Sequence, residues 1–202
     1  MSHATFVIGL IVLPLLAAWS DDWESIRRAA DQIQTLEADF VQTKELEILS
    51  KPLVSRGTLS SRRPSELRWE YESPLRSVLL ATPRGVKRYV YKGGKWVPDA
   101  GAKVEAIRAV LAEMNLWLRG DFEESKVFKA TLRQGKPTRV ELVPRDPAMK
   151  KYITRIWLVL GDKPGVLTAI DIEEGAKAST HIAFANVKLN GPIPDRRFEP
   201  PR

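Results

Sequence analysis

The sequence predicts a mainly β protein of α+β class: an antiparallel sheet of about eleven strands, curled over an apolar space that helices cover. Three observations predict it. After Ala38 apolar and polar residues alternate with period two through most of the chain. Pro and Gly signals separate these runs at hairpin spacing, which joins antiparallel neighbours. Two segments switch to the three-to-four-residue spacing of an amphipathic helix. A sheet of this size tends to curl or close on itself, and two helices with one apolar stripe each can roof its open side.

The elements follow in order. Thr5 to Trp19 is almost wholly apolar, shorter than the roughly 20 residues of a membrane span, and interrupted by Pro14. Ala18 and Ser20 suit cleavage before Asp21, so residues 1–20 are expected to be a signal peptide and residues 21–202 a single domain. Its n-region has no Lys or Arg. Asp21 to Glu37 reads as a helix through Trp23, Ile26, Ala30, Ile33 and Leu36, with Asp21 or Asp22 as its cap. Strand-like runs follow at Val54 to Ser61, Glu66 to Glu72, Arg76 to Thr82, Val86 to Lys92 and Lys95 to Pro98. In the second of these Leu67, Trp69 and Tyr71 alternate with Arg68 and Glu70, giving one apolar and one charged face. Ala102 to Arg119 returns to helical spacing and Gly120 can end it. Five more runs fall near Lys126 to Arg133, Thr138 to Pro144, Ile153 to Leu160, Val166 to Glu173 and Ser179 to Leu189. The proline-rich tail from Gly191 reads as irregular.

Composition narrows the chemistry. The chain has 202 residues, 44% hydrophobic and 28% charged, enough for one well-buried core. It has no cysteine, hence no disulfide, thiol chemistry or lipidated N-terminal cysteine. Beyond the leader the lone histidine is His181, too little for a histidine metal site or a triad with a spare base. No GxSxG, Walker or GxGxxG pattern occurs. Asp121, Glu123, Glu124, Glu173 and Glu174 are the remaining acid–base candidates, and among so many basic residues they read as solvated ion pairs. The net charge is +7. Export argues against nucleic acid as the partner, and a turn between strands accounts for the aromatic-basic run from Arg88 to Trp96. Affinity for a membrane surface stands as a secondary expectation.

Part of the chain resembles the LolA family of periplasmic lipoprotein carriers. The resemblance rests on Asp39-Phe40-Val41-Gln42, then Ser55-Arg56-Gly57-Thr58-Leu59, then Arg62-Arg63-Pro64-Ser65-Glu66-Leu67-Arg68-Trp69. Looser agreement runs on through Pro74, Ser77 to Leu80, Tyr89 to Tyr91 and the closing Phe198-Glu199-Pro200-Pro201. It implies an unclosed β-barrel with a helical lid. It also implies a non-enzymatic, monomeric carrier without a cofactor. Such a carrier takes triacylated lipoproteins from an inner-membrane ABC-type releasing complex to an outer-membrane lipoprotein receptor. Two other readings stand beside it: a LolA-like carrier or sensor for another lipid or glycolipid, and an envelope hydrolase using a carboxylate pair.

Under that resemblance, alternation places Leu67, Trp69 and Tyr71 on the acyl-chain cavity, with Phe40, Leu79, Tyr89, Tyr91 and Trp157. Leu111 and Met114 are expected to face it from the inserted helix, methionine being adaptable to varied apolar guests. Each is equally a core-packing position. The resemblance implies that Arg63, just before Pro64, latches the lid, since a guanidinium can donate to carbonyls at a helix end. Arg62 is the alternative holder.

Overall fold

The computed structural model describes residues 22–99, 113–163, 165–175 and 178–202. The expected signal peptide and Leu111 lie outside them. Helix α1 (Trp23–Asp31) starts at a capping box. The Asp22 carboxylate accepts from the Ser25 N–H at 2.6 Å, and Ser25 Oγ accepts from the Asp22 N–H at 3.1 Å. Orphan donors of the first turn are thereby satisfied.

The helix predicted to run to Glu37 stops at Asp31. Asn190, at φ +56°, accounts for the difference. Its side chain accepts from the Gln34 N–H at 2.7 Å and donates to the Gln32 carbonyl at 2.9 Å. Backbone groups that would have continued the helix are satisfied by a residue from the far end of the chain. The apolar stripe is not lost: Ile33 and Leu36 still pack into the same core as Ile26.

The chain then forms β1 (Thr35–Glu45), β2 (Leu53–Arg62), β3 (Glu66–Ser73), β4 (Ser77–Thr82), β5 (Gly85–Lys92) and β6 (Lys95–Pro98). Residues 113–119 are helical and are called α2. β7 (Phe128–Arg133), β8 (Arg139–Pro144), β9 (Ile153–Leu160), β10 (Leu167–Glu174) and β11 (Ala178–Leu189) complete the sheet. From β2 onward the strands fall where the patterning expects them, with ends shifted by a residue or two; β1 takes up Thr35 to Glu37, which the patterning assigns to the first helix. Their order is β6-β5-β4-β3-β2-β1-β11-β10-β9-β8-β7, all antiparallel. β6 and β7 do not pair with each other, so the barrel is unclosed. β1 and β11 pair at its centre and join the two meanders.

The inner face holds the main core, including Leu36, Phe40, Leu59, Leu67, Trp69, Leu142, Leu158 and Ile182, roofed by Ile26 of α1 and by Met114 and Trp117 of α2. The outer face has a second, smaller core of Val78, Leu80, Tyr89, Ile193 and Phe198. The tail expected to be irregular is therefore a packed strap. Arg68, on the face of β3 expected to be charged, is only 7% exposed beneath it. There Arg68 pairs with Glu70 at 2.8 Å and donates to the carbonyls of Arg197 and Glu199. A buried charge needs this satisfaction of its remaining donors.

Candidate functional site

Toward one end of the barrel the inner face becomes a groove. Leu36 and Ala38 of β1, Leu59 of β2, Ile170 of β10 and Phe184 of β11 form its floor. Met114, Trp117 and Leu118 of α2 close it from above. Its free space is small, about 50 Å³ for the centre of a water-sized sphere, room for a few waters. Among the described residues, side chains of the sheet and of α2 border this space on both sides, so the groove is narrow.

Helix α1 sits beside this groove on two glycines. Gly120 has φ +75° and Gly165 has φ +76°. A Cβ on Gly120 would lie 3.0 Å from Arg27 Cα, and one on Gly165 would lie 2.7 Å from Ala30 N. Only glycine permits both the left-handed backbone and this close approach. Around the seat, Trp23 stacks on Phe122 at 5.7 Å between centroids, and Arg27 pairs with Asp121 at 3.3 Å.

The two arginines before Pro64 diverge. Arg63 turns to α1: its Nη2 donates to the Ala30 carbonyl at 2.9 Å and its Nη1 to Asp31 Oδ1 at 3.1 Å. Those groups sit at the helix C-terminus, where unsatisfied carbonyls and the dipole favour a cation. Arg62 turns outward instead, to Glu66 at 2.6 Å and Asp195 at 2.7 Å, with its guanidinium over the Phe198 ring. One arginine holds the helix and its neighbour holds the tail.

The motif residues meet on the inner face. Phe40 lies 4.8 Å from Trp69 and 5.1 Å from Tyr71, centroid to centroid, and Trp69 lies 6.0 Å from Phe184. The Tyr71 hydroxyl donates to Gln42 Oε1 at 2.8 Å. Burial raises the Tyr71 pKa, opposed by contact with Trp69. A Cβ on Gly57 would meet Glu70 O at 1.9 Å and Phe40 Cζ at 2.8 Å. The glycine is thus the space into which the Phe40 ring packs.

Of the residues expected at the cavity, Phe40, Leu67, Trp69, Tyr71, Leu79 and Met114 belong to the inner core, and only Met114 among them lines the groove itself, with Arg63 at its rim. Three placements need correction. The β4–β5 register sets Tyr89 opposite Val78, putting it in the outer core. Tyr91 shares that parity and faces outward, 39% exposed, against Trp96 and the Arg76 guanidinium. Ile156 and Leu158 take the inner face of β9, so Trp157 turns outward, its Nε1 donating to Glu173 at 3.1 Å. Groove residues not singled out from sequence include Leu59, Trp117 and Phe184. Extending the Trp69 parity across the register to Leu59 would have found the first.

Four of the five carboxylate candidates, Asp121, Glu123, Glu173 and Glu174, are in ion pairs. Asp121 binds Arg27 and Arg119, and Glu123 binds Arg27. Glu173 faces outward with Trp157, while Glu174 bonds Lys44 and Thr180 on the inner face. The two neighbours therefore lie on opposite sides of the sheet and share no cleft. His181 sits outside too, against Asp171. Among the described residues no group of three or more His, Cys, Asp or Glu could hold a metal ion, and no helix is long and apolar enough to cross a membrane.

A family model described as outer membrane lipoprotein carrier protein LolA matches residues 31–201. No curated protein matches the sequence significantly. Among solved structures, the Pseudomonas aeruginosa MucA/MucB complex aligns at TM-score 0.50 and 12% identity, covering 89% of this chain and 60% of that one. A DUF1329 family protein from Desulfovibrio piger aligns at TM-score 0.47 and 10% identity, over 88% and 95%. A LolA superfamily protein from Nitrosomonas europaea aligns at TM-score 0.43 and 12% identity, over 88% and 97%.

Proposed function

Because the chain belongs to the LolA family, we propose that it is a periplasmic chaperone that carries lipoproteins by their acyl chains from the inner to the outer membrane. It would receive them from an ABC-type releasing complex and deliver them to an outer-membrane receptor, as a monomer and without covalent chemistry. One observation carries the reading: the apolar inner face is roofed by α1 and α2 rather than sealed by strands. Burying acyl chain is favourable by about 0.8 kcal/mol per methylene. The free space of the groove is small beside an acyl chain, so entry would take a lifting of the roof. Lifting uncovers Ile26, Met114 and Trp117, which offsets part of the gain and keeps release feasible. The roof is held by the Arg63 bonds and the glycine seats, which are contacts a small displacement breaks.

Native mass spectrometry of the protein taken from its own periplasm tests this reading. A bound lipoprotein mass is the expected result. A glycolipid or other acyl product would move the assignment to a different lipid cargo, and a protein free of any acyl ligand under releasing-complex overexpression would overturn it.

A further inference from the structure

The exposed apolar side chains gather at one end of the barrel. In an antiparallel meander alternate connections share an end, so those at 46–52, 74–76, 93–94 and 145–152 form a single rim. Ile48 is 88% exposed, Leu75 81% and Tyr152 75%, each on a different connection. Of the eight exposed large hydrophobics among the described residues, seven lie in these connections or within two residues of them, and Val41 lies five residues away in β1. The opposite end, where Arg63 and Pro64 border the groove, has none among the described residues.

A scattered exposed leucine means little, but an end made of apolar turn tips is a surface. Charge indicates its partner. With one flanking residue on each side, the four connections carry seven basic and three acidic residues, a net +4. Lys51, Arg76, Lys92, Lys95, Lys150 and Lys151 are among them. The opposite end also has basic residues, Arg84, Lys136 and Lys163. The apolar tips therefore choose the end, and the charge chooses what it meets.

We propose that this rim docks on an anionic lipid surface, with Ile48, Leu75 and Tyr152 entering the interfacial layer between lysine–headgroup contacts. A protein partner would want one contiguous apolar core. Three apolar tips on separate hairpins match a bilayer, which gives each its own hydrocarbon and supplies anions between them. Tyrosine suits that boundary through its apolar ring and polar tip. The surface is separate from the groove, so docking and cargo binding can be tested apart.

The test is flotation of the protein, purified from a periplasm, with phosphatidylcholine vesicles and with the same vesicles containing phosphatidylglycerol. The parent should float with the anionic vesicles, little with the neutral ones, and be released by salt. The Ile48→Ser/Leu75→Ser/Tyr152→Ser variant should lose at least about tenfold in binding. Lys150→Glu/Lys151→Glu should lose about fivefold or more for each charge. Parent and variants keep the same N-terminal segment, so the difference reports the rim alone. Unchanged thermal melting and an unchanged bound-cargo mass would show that fold and groove are intact. No preference for anionic vesicles, or equal flotation of parent and triple variant, overturns the proposal.

Discussion

The Arg63 guanidinium donates to the Ala30 carbonyl at 2.9 Å and tethers the C-terminus of α1 to the turn between β2 and β3. Its neighbour Arg62 faces the other way and ties down the tail. Arg63→Leu should leave the fold intact at a cost of about 1–2 kcal/mol, since the Asp31 partner is half exposed. It should impair lipoprotein release from inner-membrane preparations and speed tryptic cutting at Arg27 and Arg28. Arg62→Leu should loosen the tail and leave cutting in α1 unchanged. Equal release by parent and Arg63→Leu would remove the latch role.

Gly165→Ala tests the seat of α1 from the opposite side. The new Cβ lies against the Ala30 backbone and the backbone stays at positive φ. Both effects are unfavourable, together about 1–3 kcal/mol. The urea midpoint should fall and α1 should become the first segment open to protease. An unchanged midpoint would mean that α1 shifts without cost.

Tyr71 sets an alkaline limit. Burial raises its pKa above the ordinary tyrosine value of about 10. The folded state therefore holds the phenol proton at pH values where the unfolded chain has lost it. The sign follows from linkage: this stability is fully present below the unfolded pKa and is lost as pH rises through the folded one. The parent should lose stability above about pH 10 relative to Tyr71→Phe, with the two curves parallel below it. Parallel curves throughout would show that the phenol ionises without penalty.

Much of the fold was legible locally. Period-two runs and their Pro and Gly boundaries placed ten of the eleven strands, β1 being the exception, and the parity of Leu67, Trp69 and Tyr71 pointed to the inner face. The motif also had a readable cause once paired: Gly57 leaves the space that the Phe40 ring fills. Tyr89, Tyr91 and Trp157 were misplaced because their strands carry large side chains on both faces. Alternation then says which residues share a face, and not which face turns inward. Val78, Leu80 and Tyr89 turn outward because the tail supplies Ile193 and Phe198 to cover them.

By itself the sequence determined ten of the eleven strands, the apolar stripe of α1 and the arginine before Pro64, because each is a property of neighbours along the chain. Tertiary structure decided where α1 ends, which arginine holds it and which of two apolar faces lines the groove. Those outcomes depend on partners far away in sequence. Asn190 bonds Gln32 and ends the helix at Asp31, Asp195 draws Arg62 outward, and the register of each strand is set by the one beside it. A local pattern can propose a face, but only the group that satisfies or buries it makes that face the inside.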